Sequence, residues 1–391
     1  MRPLTPVNRA TTTRPHPIGR AVVVVLGAFL LSQVVVAAGA AVTDTKPLAS
    51  ASYRRWDSGL YLSIASSGYE LHHCRPSVFA ESRYSVHEWC GNAGWFPGYP
   101  AAIAAVSVIG LAPATAGMLL AHLAHLAALA ALWWWFLRDR PRAAALGALA
   151  LAAVFPGFVY QDAVFPISLT LVSVLASLHL LAARRPAAAG AAATVAVVCY
   201  PSGAALVLVG GLAAACMPGA GDRRDRTRLA LLYAAPIAAA YGATLAIYQL
   251  AVGHWNAWML VQHHYGYTPT FFLSTLARRF HFFLPLADRL NWPLAQSALV
   301  AVLVVGVSWV VWRQRHDLDA RDMVLAAYTV VFWVLPLSLG GELSIYRAEA
   351  LLLPAAALTW RMRPPTRAAA IGVSAVVGLL MTVAFFEGFL V

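Results

Sequence analysis

Trp56-Asp57-Ser58-Gly59-Leu60-Tyr61-Leu62-Ser63-Ile64-Ala65-Ser66-Ser67-Gly68-Tyr69 is answered downstream by Trp95-Phe96-Pro97-Gly98-Tyr99-Pro100. The first block begins just beyond a long apolar run, in a polar loop between hydrophobic stretches. Asp57 is its only carboxylate, preceded by Arg54 and Arg55. Ile64 and Ala65 fall near helical spacing from Leu60 and Tyr61, which predicts a short amphipathic helix lying on a membrane. From the residues alone, Trp56, Tyr61 and Tyr69 read as interfacial anchors at headgroup level and Asp57 as a helix N-cap. A chemical role for Asp57 is the competing reading.

The surrounding chain decides that a membrane is present. Of its 391 residues 60% are hydrophobic and 11% charged, with a mean hydropathy of +0.68. A soluble domain of this size needs far more charge to cover its surface. Runs near 20 apolar residues recur to the end, so the expected fold is all-α, a polytopic helical membrane protein. The net charge of +12 has the sign of a nucleic-acid binder. Its arginines, however, fall in short clusters between hydrophobic spans, as the positive-inside rule distributes them, and no nucleic-acid module is visible.

Residues 1–18 are expected to be a disordered cytoplasmic tail and 19–391 a single transmembrane domain, with 43–94 its first extracytoplasmic loop. The first span is Ile18–Val42. The small residues after its apolar run also suit a cleaved signal peptide, but the run exceeds the ~7–15 residues of such a segment. Arginine clusters at Arg138–Arg142, Arg184-Arg185, Arg223–Arg228, Arg313–Arg315 and Arg361–Arg367 all fall inside if 95–112 is re-entrant. That gives about 11 crossings of the plasma membrane with the N-terminus cytoplasmic. Residues 187–217 are broken by Tyr200-Pro201-Ser202-Gly203 into halves too short for a ~30 Å core. The break is a candidate cavity wall, or else a tight polar turn.

Several polar features converge outside. His254–Trp258 and Gln262-His263-His264-Tyr265 form a second loop, and Glu342, Tyr346, Arg347 and Glu349 cluster where a late span begins. Arg347 is the first candidate for a phosphate, since a guanidinium stays charged and binds two oxygens; pairing with Glu349 or Glu342 is the alternative. His263 and His264 are the second candidates, or an interfacial polar turn. Cys74 and Cys90, in the external loop, are expected to form a disulfide. A zinc site from His72, His73, Cys74, His87 and Cys90 fits no finger or ribbon spacing. His122 and His125, one turn apart, read as a packing or headgroup pair. No phosphate-binding glycine loop, dinucleotide fingerprint or serine elbow is present, which leaves nucleotide-sugar use unsupported.

The pattern Trp-Asp-x-x-x-Tyr, Ile-Ala-x-x-Gly-Tyr and aromatic-Phe-Pro-x-Tyr-Pro resembles the bacterial PIG-V-like mannosyltransferases, of the GT-C glycosyltransferase class. The resemblance implies a GT-C-like fold and an essential aspartate at Asp57, acting as general base. It implies a polyprenyl-phosphate-linked mannose donor, a glycolipid, lipoglycan or protein acceptor, and no cofactor beyond the donor, with divalent metal left open. The substrate-binding candidates are Arg347, His263, His264, Tyr61, Trp56, Gln262 and Tyr346. Phe155-Pro156-Gly157-Phe158 is similar to a further family stretch. The chain departs from the family at Ile167, where a Glu is expected, and at Tyr200, where an Arg is expected. Those departures keep a non-catalytic glycosylation subunit in view. A transporter or flippase is the other rival, although no inverted repeat is evident and the charges sit at helix ends.

Overall fold

The computed structural model describes residues 18–74, 88–216, 222–263, 269–281, 288–339 and 345–390. Helix α1 (Ile18–Val42) leads through a short 3-10 turn (Ser50–Tyr53) into α2 (Ser58–Ser67). Strands β1 (Leu71–His73) and β2 (Trp89–Gly91) form an antiparallel ribbon, with His72 opposite Cys90. Then come α3 (Gly98–Ser107), α4 (Pro113–Leu132), α5 (Arg142–Ala153), α6 (Val159–Asp162), α7 (Ile167–Ala182), α8 (Pro186–Cys199) and α9 (Leu206–Cys216). The C-terminal half holds α10 (Arg223–Val252), α11 (Ala257–His263), α12 (Phe272–His281), α13 (Trp292–Arg313), α14 (Ala320–Ser338), α15 (Ile345–Glu349) and α16 (Pro364–Glu387). A 12-residue 3-10 helix, Ala350–Arg361, follows α15 directly.

The protein is an all-α multi-pass membrane protein apart from the two-stranded ribbon. Six described helices are long and apolar enough to cross a bilayer: α1, α4 with its extension to Leu137, α10, α13, α14 and α16. The sequence pattern predicts about 11 crossings; the remaining apolar runs instead form shorter pieces. Residues 143–162 divide into α5 and α6 at the turn around Pro156 and Gly157, where Gly157 has φ +85°. The 187–217 run breaks at Tyr200, whose extended backbone ends α8 and starts a 3-10 turn. Hydropathy sees apolar composition but not these interruptions, which protein contacts rather than lipid must satisfy. Helix α3 has ten residues, about 15 Å at 1.5 Å per residue and half the ~30 Å hydrocarbon thickness.

The interior is built from small and aromatic side chains. Phe158 lies against Gly378 of α16, where an added Cβ would stand 2.5 Å from the ring. Such close approaches are how helices pack where lipid is as apolar as the protein. At one end of the bundle Asp322 accepts from Arg140 (3.1 Å), Arg361 (2.7 Å) and the Trp360 indole (3.3 Å). The two guanidiniums flank Trp360 at 4.7 and 4.4 Å from its ring centre. Arg367 reaches back to the carbonyls of Thr359, Trp360 and Met362, satisfying acceptors that the end of the 3-10 helix leaves open. At the opposite end Arg55 donates to the carbonyls of Phe385 (3.3 Å) and Phe386 (2.8 Å) in the last turn of α16. The first loop is thereby fastened to the C-terminal helix, two residues before Asp57.

Candidate functional site

Asp57 occupies the N-cap position of α2, yet its side chain makes no capping hydrogen bond. Only its backbone carbonyl serves the helix, accepting from Leu60 (2.9 Å) and Tyr61 (3.1 Å). The carboxylate instead turns inward and its Oδ2 accepts from Nη1 of Arg347. The backbone that delivers it is unusual: Trp56 has φ +44°, in the left-handed region that costs a residue with a bulky side chain ~1–2 kcal/mol. Trp56 itself is 54% exposed.

Arg347 is fixed from several sides. Helix α15 buries its side chain to 10% exposure, against 25% for Asp57. The guanidinium carbon lies 5.6 Å from the centre of the Phe165 ring, a cation–π contact. Its Nε is buried without a hydrogen-bond partner among the described residues, which leaves that donor unused by them. Phe165 also meets Tyr160 edge-on at 5.7 Å and Tyr61 at 6.1 Å, and Tyr61 meets Tyr99 at 5.6 Å. Tyr346 lies 5.8 Å from Tyr160. The ion pair is thus walled by aromatic rings. Burial pushes the Tyr61 hydroxyl well above its ordinary pKa, with Tyr200 and Asp57 adding to the rise and Arg347 opposing it. Tyr61 therefore keeps its proton across physiological pH.

The remaining candidates divide. Arg347 pairs with Asp57 and not with Glu349, whose carboxylate accepts from Gln296 at 2.9 Å; Glu342 lies outside the described residues. Tyr61 and Tyr346 are buried beside the pair, and Trp56 stands exposed next to it. Gln262 instead donates to the Gly94 carbonyl at 3.1 Å, tying α11 to the loop before Trp95. His263 is exposed at the end of α11 and hydrogen-bonds neither Asp57 nor Arg347; His264 lies outside the described residues. Cys74 and Cys90 form a disulfide, with Cα atoms 5.0 Å apart. It closes the ribbon, whose Trp89 ring lies tilted against His73 (4.1 Å) and His254 (5.0 Å). Just after the ribbon, Asn92 donates to Ser63 and to the Gly68 carbonyl, both at 3.0 Å, and so locks α2 in place.

Tyr160 joins the site without a motif to announce it, in the apolar run that leads to Phe165, which opens the stretch carrying the family departure at Ile167. Tyr200, at the position where the resembled family carries an Arg, interacts electrostatically with Tyr61 and Arg347. Among the described residues no group of three or more His, Cys, Asp or Glu is placed to hold a metal ion.

No protein-family model matches the chain, and no curated protein matches it. Among solved structures it is similar to the archaeal oligosaccharyltransferase AglB from Archaeoglobus fulgidus in complex with an inhibitory peptide and a dolichol-phosphate. The alignment has a TM-score of 0.51 at 12% identity and covers 93% of this chain and 56% of that one. Two further structures of the Archaeoglobus fulgidus oligosaccharyltransferase align at 11% identity. One, complexed with Zn and sulfate, has a TM-score of 0.43 over 85% of this chain and 48% of that one. The other, tethered to an acceptor peptide by a disulfide, has 0.46 over 94% and 55%. The chain spans about half the length of the proteins it matches. The shared feature is a GT-C-like helical membrane fold.

Proposed function

We propose that the chain is an integral-membrane glycosyltransferase of the GT-C type. It moves a mannosyl residue from a polyprenyl-phosphate-linked donor to a glycolipid, lipoglycan or protein hydroxyl on the extracytoplasmic side. The observation that carries this reading is the pairing of Asp57 with Arg347 in an aromatic-walled site on a GT-C-like fold. The archaeal oligosaccharyltransferase of like fold is complexed with a dolichol-phosphate, which supports a lipid phosphate as the donor class here.

The chemistry requires a base for the acceptor hydroxyl and a cation for the departing phosphate. Without substrate, Arg347 and Asp57 neutralise each other. A donor phosphate competes for the guanidinium, which has an unused Nε to offer it, and the exchange frees Asp57. The acceptor oxygen then attacks the anomeric carbon as the carbon–oxygen bond to phosphate breaks. Asp57 takes the hydroxyl proton, and the lipid phosphate leaves with the bonding pair against Arg347. This is a single displacement with inversion. The Tyr61 hydroxyl donates to an oxygen of sugar or phosphate, and the rings of Phe165 and Tyr160 exclude water from the reacting centre.

The test is transfer of radiolabelled mannose from polyprenyl-phosphate mannose in membranes carrying wild type or Asp57→Asn, with donor binding measured in parallel. New labelled product with wild type, lost in Asp57→Asn while donor still binds, supports the reading. Equal transfer by both removes Asp57 as the base. Donor binding without transfer by either transfers the assignment to a transporter or a partner-dependent subunit.

A further inference from the structure

Asp162 is wholly buried at the end of α6, within the bundle. Its Oδ1 lies 2.9 Å from Nδ1 of His125 and 4.0 Å from Nε2 of His122, and its Oδ2 accepts from Gln33 at 2.9 Å. Three elements, α1, α4 and α6, each contribute to this cluster. Nε2 of His125 is buried and unpartnered, so Asp162 alone holds that imidazole by hydrogen bonding. Among the described residues the titratable groups facing Asp162 are His125 and His122 from α4 and Tyr53 from the first loop. An ionisable cluster inside a membrane bundle is costly to retain, and packing alone would be served as well by apolar side chains.

The cluster is wired to both halves of the candidate site. His122 meets the Tyr53 ring edge-on at 5.1 Å. The Tyr53 carbonyl accepts from the backbone N–H of Val164 at 3.1 Å, two residues beyond Asp162. Its hydroxyl donates to Pro47 at 2.8 Å, which anchors the loop leading to Asp57. Val164 is followed by Phe165, the ring beneath Arg347. The segment that carries Asp57 and the segment that carries the Arg347 platform are therefore joined by one hydrogen bond, set directly beside Asp162.

We propose that Asp162 and His125 are the positioning residues of the site, holding the Tyr53–Ser58 and Ala163–Phe165 segments so that Asp57 and Arg347 meet. The inference rests on the reading of Asp57 and Arg347 as the reacting pair, while the geometry it predicts is measurable without catalysis. Because a misplacement of about 1 Å in a reacting group costs on the order of 10²-fold in rate, the pair acts on turnover without touching substrate.

The experiment compares full-length wild type, Asp162→Asn and His125→Leu in lipid nanodiscs by amide hydrogen exchange, donor binding and mannose transfer. The expected result is exchange faster by about tenfold in peptides covering 53–60 and 160–166, with α10 and α13 unchanged. Turnover falls by about 100-fold and the donor KM stays within about threefold. Unchanged exchange in those two segments overturns the proposal, as does acceleration spread evenly over the whole fold, which would mark a merely structural role. His125→Leu keeps the test decisive if Asp162→Asn does not fold. If wild type transfers no sugar, the exchange pattern still decides the positioning and only the mannosyl reading fails.

Discussion

Arg347 hydrogen-bonds Asp57 across 290 residues of sequence, joining the first loop to the segment that begins the 3-10 helix. The pair is asymmetric: the guanidinium is nearly enclosed, and the carboxylate is a quarter exposed. That is the arrangement in which an incoming anion and an incoming hydroxyl approach different partners.

Removing one member leaves the other uncompensated, and the two losses are expected to couple. Arg347→Gln and Asp57→Asn should each destabilise the protein, while the double variant recovers part of the loss, with a coupling of ~1–3 kcal/mol. Thermal melting in nanodiscs measures this, and strict additivity would show that the pair contributes nothing to the fold. Activity should not recover in the double variant. Arg347→Lys should keep the fold and lose donor affinity by at least ~10-fold, because an ammonium lacks the planar fork and the ring contact.

Trp56 should separate stability from function. Trp56→Gly removes the left-handed penalty at φ +44° and is expected to leave stability unchanged or raise it by up to ~1 kcal/mol. The same change deletes the exposed ring beside Asp57, so the acceptor KM should rise. A fall in melting temperature together with an unaltered KM would contradict both halves of this argument.

The ribbon disulfide closes a loop with a sequence separation of 16. Replacing both cysteines, Cys74→Ser with Cys90→Ser, should cost roughly 3 kcal/mol in the chain-entropy model. Since Asn92 ties the end of the ribbon to α2, transfer activity is expected to fall along with it. Amide hydrogen exchange with and without reductant gives the structural readout, and faster exchange in the strands Leu71–His73 and Trp89–Gly91 should appear only in the reduced or substituted protein.

Asp322 compensates Arg140 and Arg361 at the other end of the bundle, with 1% of its side chain exposed. Asp322→Ala leaves buried Arg361 without a carboxylate and Arg140 with Asp319 alone, and should cost ~3–5 kcal/mol. Chemical denaturation in mixed micelles tests it. A cost below ~1 kcal/mol would mean that Asp319 and Gln314, which already bond the two arginines, suffice for them.

Much of this was legible from residue patterns, and the failures have physical causes. The two blocks around Asp57 and Trp95 stand out because they set clustered aromatic residues beside polar ones in a chain that is 60% hydrophobic and only 11% charged. Arg347 stands out as a phosphate candidate because an arginine at the start of a span demands a partner, with Glu349 or Glu342 as the nearby alternatives. Sequence proximity favours Glu349; the fold gives it to Gln296 and delivers Asp57 from the far end of the chain. Gln262 looked like a ligand for the same reason that it makes a good clamp: its amide can serve a carbonyl as readily as a substrate. Asp162 escaped notice because a lone carboxylate in the run around Phe155–Phe165 carries no motif, and its partners His125 and Gln33 lie on other helices. Apolar composition marks the runs but does not report where a helix is interrupted by Pro156, Gly157 or Tyr200, so six long helices stand beside shorter apolar ones.

The 3-10 helix from Ala350 to Arg361 gives the site an unusual suspension. Runs of this length are uncommon, and Pro354 within it removes a donor that an α-helix would need. At ~2.0 Å per residue its 12 residues reach about 24 Å, against ~18 Å for the same sequence wound as an α-helix. Arg361 and Arg367 anchor one end, and Arg347 rides just beyond the other. Rewinding this strut would retract Arg347 by about 6 Å, more than the reach of its bond to Asp57. The distance between Asp57 and Arg347 is thus gauged by the pitch of a helix whose fixed point lies on the far side of the bundle.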